Sequence, residues 1–240
     1  MDDFWNKRLI YKAYSGSISY GTNTPESDVD TRGICIPPTS YLIGLDRFDQ
    51  YNNNTIDETI YSLSKFIRLA MDCNPNIIEL LYVKEEHIIF TNVYGRSLRD
   101  IRDQFLSKRA YKTFGGYAYA QLKKMTTIEK NAVGKRAETI SKYGYDTKNA
   151  MRCIMLMRMG FEILSGDGVN VYREDRDFLK SIRYGELTLN DIKDEYNRLN
   201  ELLNKAYETT KLPDHPNYHF FNGFVTGIHE KSLDWSGNYY

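Results

Sequence analysis

The spacing of apolar and polar positions divides the chain into a strand-rich front and a helical back. RLIYKAYSGS (8–17) reads as a short strand ending in a turn, and VDTRGICIPP (29–38) as a second strand stopped by Pro37-Pro38, which cannot continue a ladder. YLIGLDRFDQYNNNTID (41–57) reads as a loop and hairpin with Asn52–Asn54 at its tip. ETIYSLSKFIRLAMD (58–72) starts extended and turns helical, with Leu63, Phe66, Ile67 and Ala70 at helix spacing, and NPNIIELLYV opens another helix just after Pro75. Residues 85–107 carry a short apolar strand or turn and then a helix. From about residue 108 the period is helical, over 108–133, 146–164, 174–182 and 188–208, with a turn at Gly166-Asp167-Gly168. There is no internal repeat. This order predicts an α+β protein, with a mixed-sheet domain over 1–105 and a helical subdomain over 106–240.

Composition narrows the function classes without choosing among them. The chain has 240 residues, 41% hydrophobic and 27% charged, enough to bury a core and not the composition of a disordered protein. Its formal net charge is zero, so a polyanionic partner has to be held by a local patch. Twenty tyrosines raise the aromatic content to 14%, which suits either base stacking or ordinary half-wet surface. Cys35, Cys73 and Cys153 are scattered, an arrangement expected of reduced thiols and not of a zinc site or a disulfide framework. The N-terminus lacks a signal-peptide core and no run reaches membrane-spanning length, so a cytoplasmic protein with no membrane partner is expected.

The candidate chemistry lies in YSGSISYGTNTPESDVDTRG (14–33). A strand ending at Tyr14 and a short helix opening at Gly16-Ser17 would offer unpaired backbone N–H groups to a phosphate. Gly16 permits close approach, and the Ser17 hydroxyl is a further donor. Asp28 and Asp30 lie two apart, and period-two geometry on a strand puts both carboxylates on one face. Neighbouring carboxylates repel unless a cation sits between them, and Mg²⁺ with substrate phosphates is the usual solution. A third carboxylate from the adjacent strand would be Asp57 or Glu58; alternation sends them to opposite faces, so only one can serve. Arg32 is expected to point off the metal face, to pair a carboxylate or reach the substrate.

In the helical half, residues 151–163 are apolar nearly all round, which marks a buried helix. Lys148, Arg152 and Arg158 on that helix either form core ion pairs, with Glu162 or Glu79, or line a cleft and neutralise a triphosphate. Asp146 is expected to cap the helix. Asn74–Asn76 reads as a helix break, and Glu79 as structural. Residues 107–124 interleave Lys108, Arg109, Lys112, Lys123 and Lys124 with Tyr111, Phe114, Tyr117 and Tyr119, a string that fits a single-stranded nucleic-acid surface and equally a solvated amphipathic helix. His87, His215, His219 and His229 show no ligand spacing.

Gly-Ser followed by a turn and Asp-x-Asp resembles the signature of the DNA polymerase β nucleotidyltransferase superfamily. GSISYGTNTPESDVDTRGICIPP, DETIYSLSKFIRLAMDCNPNIIELLY, GYDTKNAMRCIMLMRMGFEIL and GELTLNDI together resemble the RNA-repair-pathway polymerase β-like (RlaP-like) family over about residues 10–208. The resemblance implies a polymerase β-type fold and metal-dependent NMP transfer from an NTP, with pyrophosphate release. It implies two Mg²⁺ on Asp28, Asp30 and Asp57, the last from the family's D-x-T-x-Y register. It also implies an NTP held by Gly16 and Ser17 and assisted by Lys148 and, more weakly, Arg152, in a cleft between the two halves. Where the family commonly has His after that lysine, this chain has Asn149. RNA is the acceptor that the family name implies. Two rivals are a protein-modifying AMP transferase of the toxin–antitoxin type and a nucleotide sensor without turnover. The intact aspartate pair speaks against the sensor.

Overall fold

The computed structural model describes residues 2–126 and 134–233. Two compact units emerge: one comprises the chain up to Asp72, Asn76–Phe105 and the segment from His215, and the other comprises Cys73–Pro75 and Leu106–Asp214.

The first unit contains α1 (Asp2–Asn6), β1 (Leu9–Ser15), α2 (Gly16–Tyr20), β2 (Asp30–Cys35), α3 (Thr39–Ile43), β3 (Gln50–Asn53), β4 (Glu58–Ser62), α4 (Leu63–Met71), α5 (Pro75–Leu81), β5 (Ile88–Thr91) and α6 (Val93–Asp100). Its five strands form one mixed sheet in the order β3-β4-β2-β1-β5, antiparallel throughout except for the parallel pair β2–β4. The expected hairpin forms between β3 and β4, but Asn52 and Asn53 are paired in β3, and the turn runs over residues 54–57. β4 alternates buried and half-buried positions. Leu63, Phe66, Ile67 and Ala70 give α4 one buried face, and Ser62 caps it by accepting from Lys65 N. Leu9, Cys35 and Ile60 form a core cluster against which Trp5, Phe48 and Tyr51 pack.

The second unit contains α7 (Arg109–Thr126), α8 (Lys135–Tyr143), α9 (Thr147–Ser165), α10 (Arg176–Arg183) and α11 (Leu189–Thr209). The remainder of the helix expected over 108–133 lies outside the described residues from 127 on. α9 is buried on most sides, packing against α7, α10 and α11. A Cβ at Gly160 would lie 2.9 Å from that of Phe114, so glycine sets how closely α9 and α7 approach. Thr188 and Asp191 of GELTLNDI make a reciprocal capping box at the start of α11. A final helix, α12 (Tyr218–Ser232), belongs to the first unit, where Phe221 stacks on Phe105 at 4.0 Å between ring centroids.

Arg158 and Glu162 of α9 find partners inside the helical unit. Arg158 pairs with Asp175 and, at 2.7 Å, with Glu195. Glu162, expected as a partner for a cation on its own helix, is gripped on both oxygens by Arg173, which also holds Asp175. Burial alone would raise Asp175, but hydrogen bonds from Arg173 and Arg158 outweigh it and hold the carboxyl below its ordinary value. Glu195 is likewise lowered, first by Arg198 and then by Arg158 against its own burial. A carboxyl depressed in the folded state contributes stability above its unfolded pKa of about 4, and that contribution is lost as pH falls through the folded value. Acid is therefore expected to lower the melting temperature, monitored by helical circular dichroism. Asp175→Asn should cost about 3 kcal/mol at neutral pH and show a shallower acid slope than the parent. Parallel slopes would remove the network from the acid response.

Candidate functional site

β1 ends and α2 begins at Ser15-Gly16, where the backbone turns through a positive φ of 64° at Gly16. A Cβ built there would stand 2.3 Å from Asp30 Oδ2, so the glycine backbone is pressed directly against that carboxylate. The apposition follows from the sheet, because Ser15 and Asp30 are the terminal register pair of β1 and β2. α2 has five residues and closes on Gly21 in the left-handed region; Ser19 Oγ donates to Gly16 O at 2.8 Å, and Thr22 N to Ser17 O at 3.0 Å. Ser17 is half-buried at its second position. Among the described residues, the buried hydroxyls Ser15 Oγ and Thr22 Oγ1, which flank α2 in sequence, have no hydrogen-bond partner. Unpaired hydroxyls in an interior depart from the usual pairing of buried polar groups.

Gly16→Ala tests the apposition. The left-handed conformation costs an L-residue about 1–2 kcal/mol, and the new methyl group must displace the Asp30 carboxylate. If the chain carries out the transfer that its resemblance implies, Gly16→Ala is expected to lower that activity by more than about 100-fold, as an ångström-scale misplacement does, with only a modest drop in melting temperature. Parental activity would show that the carboxylate position at Asp30 is immaterial.

The acidic residues are not all where strand alternation placed them. Asp30 is the first residue of β2, whereas Asp28 lies in the exposed segment before it. The ladder begins at Asp30 because residues 28 and 29 would need partners at 16 and 17, which have already turned into α2. Asp57 occupies the last place of the β3–β4 turn, exposed, at a positive φ of 44°, and its carbonyl accepts from Thr31 N at 3.0 Å. Glu58, its neighbour, is buried at 2% exposure and forms an ion pair with Lys12 that lacks hydrogen-bond geometry. β2 lies between β1 and β4, so Lys12 reaches Glu58 across that strand, where its own register partner is Gly33. Among the described residues, no group of three or more His, Cys, Asp or Glu side chains is arranged to hold a metal ion. Asp30 offers a carboxylate beside the Gly16 backbone, and Asp28, two residues before it, offers a second from the exposed segment that leads into β2. That set fits Mg²⁺, which is bound by one or two carboxylates and takes its other ligands from water and substrate phosphates.

Arg32 does not point off the Asp30 face. It is two residues further along β2, and alternation returns it to the same face, in register with Ala13 and Thr59. Its Nη1 donates to Asn76 O at 2.7 Å, and it lines a close-packed recess with Ser15, Ser19, Asn76 and Glu79. Glu79, read from sequence as structural and tied to a cation, accepts from the Tyr20 hydroxyl. Nothing in the local sequence marks Tyr20, since its partner is 59 residues away.

The remaining candidates belong to the helical unit. Asp146 caps α9, accepting from Asn149 N at 3.1 Å, and is bonded by Arg136. Asn149, which stands where the resembling family has His, donates from Nδ2 to Asp146 Oδ2 at 2.9 Å, so a hydrogen bond is retained at that place. Lys148 is exposed in the first turn of α9, and Arg152 is half-buried one turn on. On α7 the aromatic residues are largely committed to packing. Phe114 is fully buried, Tyr111 stacks on Tyr207 and bonds Asn204, and Tyr117 accepts from Asn74. Lys108 pairs with Asp214 at 2.8 Å; Lys112 and Lys124 are exposed, and Lys123 lies over the ring of exposed Tyr119. All three cysteines are buried, and burial pushes the Cys35 and Cys153 thiols up to about 12, which makes poor nucleophiles of them. Among the described residues no helix is long and apolar enough to cross a membrane.

The model of the RNA repair pathway DNA polymerase beta family, RlaP, matches residues 2–226. A curated relative, an uncharacterized 38.9 kDa protein in the nrdC–mobD intergenic region of Enterobacteria phage T4, is 33% identical over 130 residues. That match covers 49% of this chain and 38% of the phage protein. A crystal structure of a nucleotidyltransferase-like protein from Exiguobacterium sibiricum 255-15 aligns over 96% of this chain and 78% of that one, at 10% identity and a TM-score of 0.30.

Proposed function

The chain belongs to the RNA repair pathway DNA polymerase beta (RlaP) family, a family of polymerase β superfamily nucleotidyltransferases, and on that premise we propose that it transfers an NMP from an NTP to an acceptor hydroxyl. The observation that carries the reading is the Gly16 backbone set against the Asp30 carboxylate. Such a pair of elements can seat a phosphate chain on one side and hold its counter-ion on the other.

In this reading Gly16 and Ser17 receive the β and γ phosphates. Asp28 and Asp30 would hold Mg²⁺, and Asp57 of the neighbouring turn, which does not stand with them as a ready three-carboxylate cluster, would join them when the metal is bound. Bound there, Mg²⁺ supplies charge neutralisation and acidifies the attacking hydroxyl. The acceptor hydroxyl passes its proton to solvent as its oxygen bonds the α-phosphorus. The bond from that phosphorus to the α–β bridging oxygen breaks, and pyrophosphate leaves. The protein's part is to position the reactants and offset their charge. These roles all fall to residues of the first unit.

The acceptor we propose is an RNA end, on the family's printed association with RNA repair. With zero net charge, RNA affinity would come from a local patch, for which the exposed lysines of α7 are available. Incubation with each α-labelled NTP and Mg²⁺, in bulk RNA and separately in cell lysate, tests this. Label in RNA is expected. Label confined to a protein band would replace RNA by a side-chain hydroxyl, and nucleotide binding without any labelled product would leave a sensor.

A further inference from the structure

Three elements carry the proposed site, and each sends a buried or half-buried side-chain hydrogen bond to one short stretch, residues 76–80 on α5. Tyr11 of β1 donates its hydroxyl to Leu80 O at 2.8 Å. Arg32 of β2, two residues beyond Asp30, donates to Asn76 O at 2.7 Å. Tyr20, the last residue of α2, donates to Glu79 Oε2 at 2.5 Å. Tyr20 and Glu79 are 3% and 4% exposed, so this bond is made in the interior, between groups that would be costly to bury apart.

A helix of five residues has little stability of its own. The bonds within α2, from Ser19 Oγ to Gly16 O and from the Gly21 cap, preserve its shape but do not fix where it lies on the sheet. Leucine and phenylalanine would fill the space of Glu79 and Tyr20 without desolvating polar groups. A hydrogen bond between two buried side chains, here from the Tyr20 hydroxyl to Glu79 Oε2, instead imposes one geometry, because any displacement breaks it.

We propose that α5 is a positioning brace for the transfer site. Tyr20 and Glu79 fix α2, and through it Gly16, while Arg32 and the Asn76 carbonyl fix β2 and Asp30. One rigid segment thereby sets the separation between the phosphate-seating turn and the carboxylate. Tyr20, Arg32 and Glu79 are positioning residues; they act through Gly16 and Asp30. The brace rests on the reading of that turn as the triphosphate seat.

The test reads the coupling between metal and nucleotide and needs no acceptor. ATP affinity is measured by calorimetry with and without Mg²⁺ on the whole chain. In the parent, Mg²⁺ strengthens ATP binding because turn and carboxylate hold the two together. In Tyr20→Phe that strengthening is expected to shrink about tenfold, within the usual range of site–site coupling, while metal-free ATP affinity stays within about twofold. Glu79→Gln keeps an oxygen that accepts from Tyr20 and should retain the coupling. The double variant Tyr20→Phe/Glu79→Leu leaves no orphaned polar group and should lose coupling as the single one does, even if Tyr20→Phe alone fails to fold. Phe66→Leu, a core substitution away from the brace, should lower the melting temperature and leave the coupling intact. Undiminished coupling in the folded Tyr20 variants, or equal loss in Phe66→Leu, would overturn the brace and leave the site reading standing. No Mg²⁺ effect on ATP binding in the parent would overturn both.

Discussion

Asp30→Ala is expected to abolish nucleotidyl transfer, by more than the roughly 100-fold that losing an outer contact to a metal ligand costs, while the metal-free protein melts where the parent does. Two features carry the expectation. The Asp30 carboxylate abuts the Gly16 backbone at the turn proposed to seat phosphate, so the charge is removed where phosphate and counter-ion meet. The side chain is half-buried, so its removal opens no cavity in the apolar core. Asp28→Ala should behave in the same way, since Asp28 is exposed in the segment before β2 and its removal takes nothing from the core. Activity is read as label transferred per enzyme, and stability as the thermal midpoint without metal. Parental turnover in either variant would contradict the assignment.

Lys12→Met should be the most destabilising substitution in the first unit that touches no apolar core residue. It strands Glu58, whose side chain is 1% exposed, without its cation, and breaking one side of such a pair costs about 3–5 kcal/mol. Lys12→Met/Glu58→Leu removes both charges and should recover most of the loss, because an apolar replacement of a buried ion pair is close to neutral. Asp57→Asn should do the opposite. Asparagine tolerates the positive φ of that turn position and keeps the backbone bond to Thr31, so stability stays while transfer falls. On the proposed reading, the two adjacent acids divide into a structural Glu58 and a catalytic Asp57. Denaturant midpoints and transfer rates on the four variants read the separation. If Glu58→Gln abolished transfer while Asp57→Asn spared it, the third carboxylate would be Glu58.

The parts of this arrangement legible in the sequence are those fixed by local periodicity and by neighbours across one turn. Phe66 and Ile67 announced the buried face of α4, and the apolar run around Met155 announced the buried α9. Gly16 and Asp30 could be paired on paper because a single connection joins two adjacent antiparallel strands. Asp28 was misplaced for a reason the pattern does not contain, namely that β1 stops at Ser15 and leaves no ladder partner. Arg32 follows the ordinary alternation of a strand, and its face is the one shared with Asp30. Lys12 and Glu58 meet across an intervening strand, and Tyr20 and Glu79 across 59 residues, so neither pair leaves a local signal. α12 escaped because Gly223 and Gly227 weaken its intrinsic helicity, while Phe221 gains its place from Phe105, far off in sequence. α8, KRAETISKY, has no apolar stripe to announce it.

The fate of the α-phosphate tests the central claim most directly. The protein is incubated with Mg²⁺, cellular RNA and ATP, CTP, GTP or UTP labelled at the α or, separately, at the γ position, and the products are resolved. The proposed site predicts label from the α position joined covalently to the acceptor, equimolar pyrophosphate, no transfer from the γ position, and loss of all product in Asp30→Ala. Transfer of the γ label, or release of inorganic phosphate in place of pyrophosphate, would contradict it.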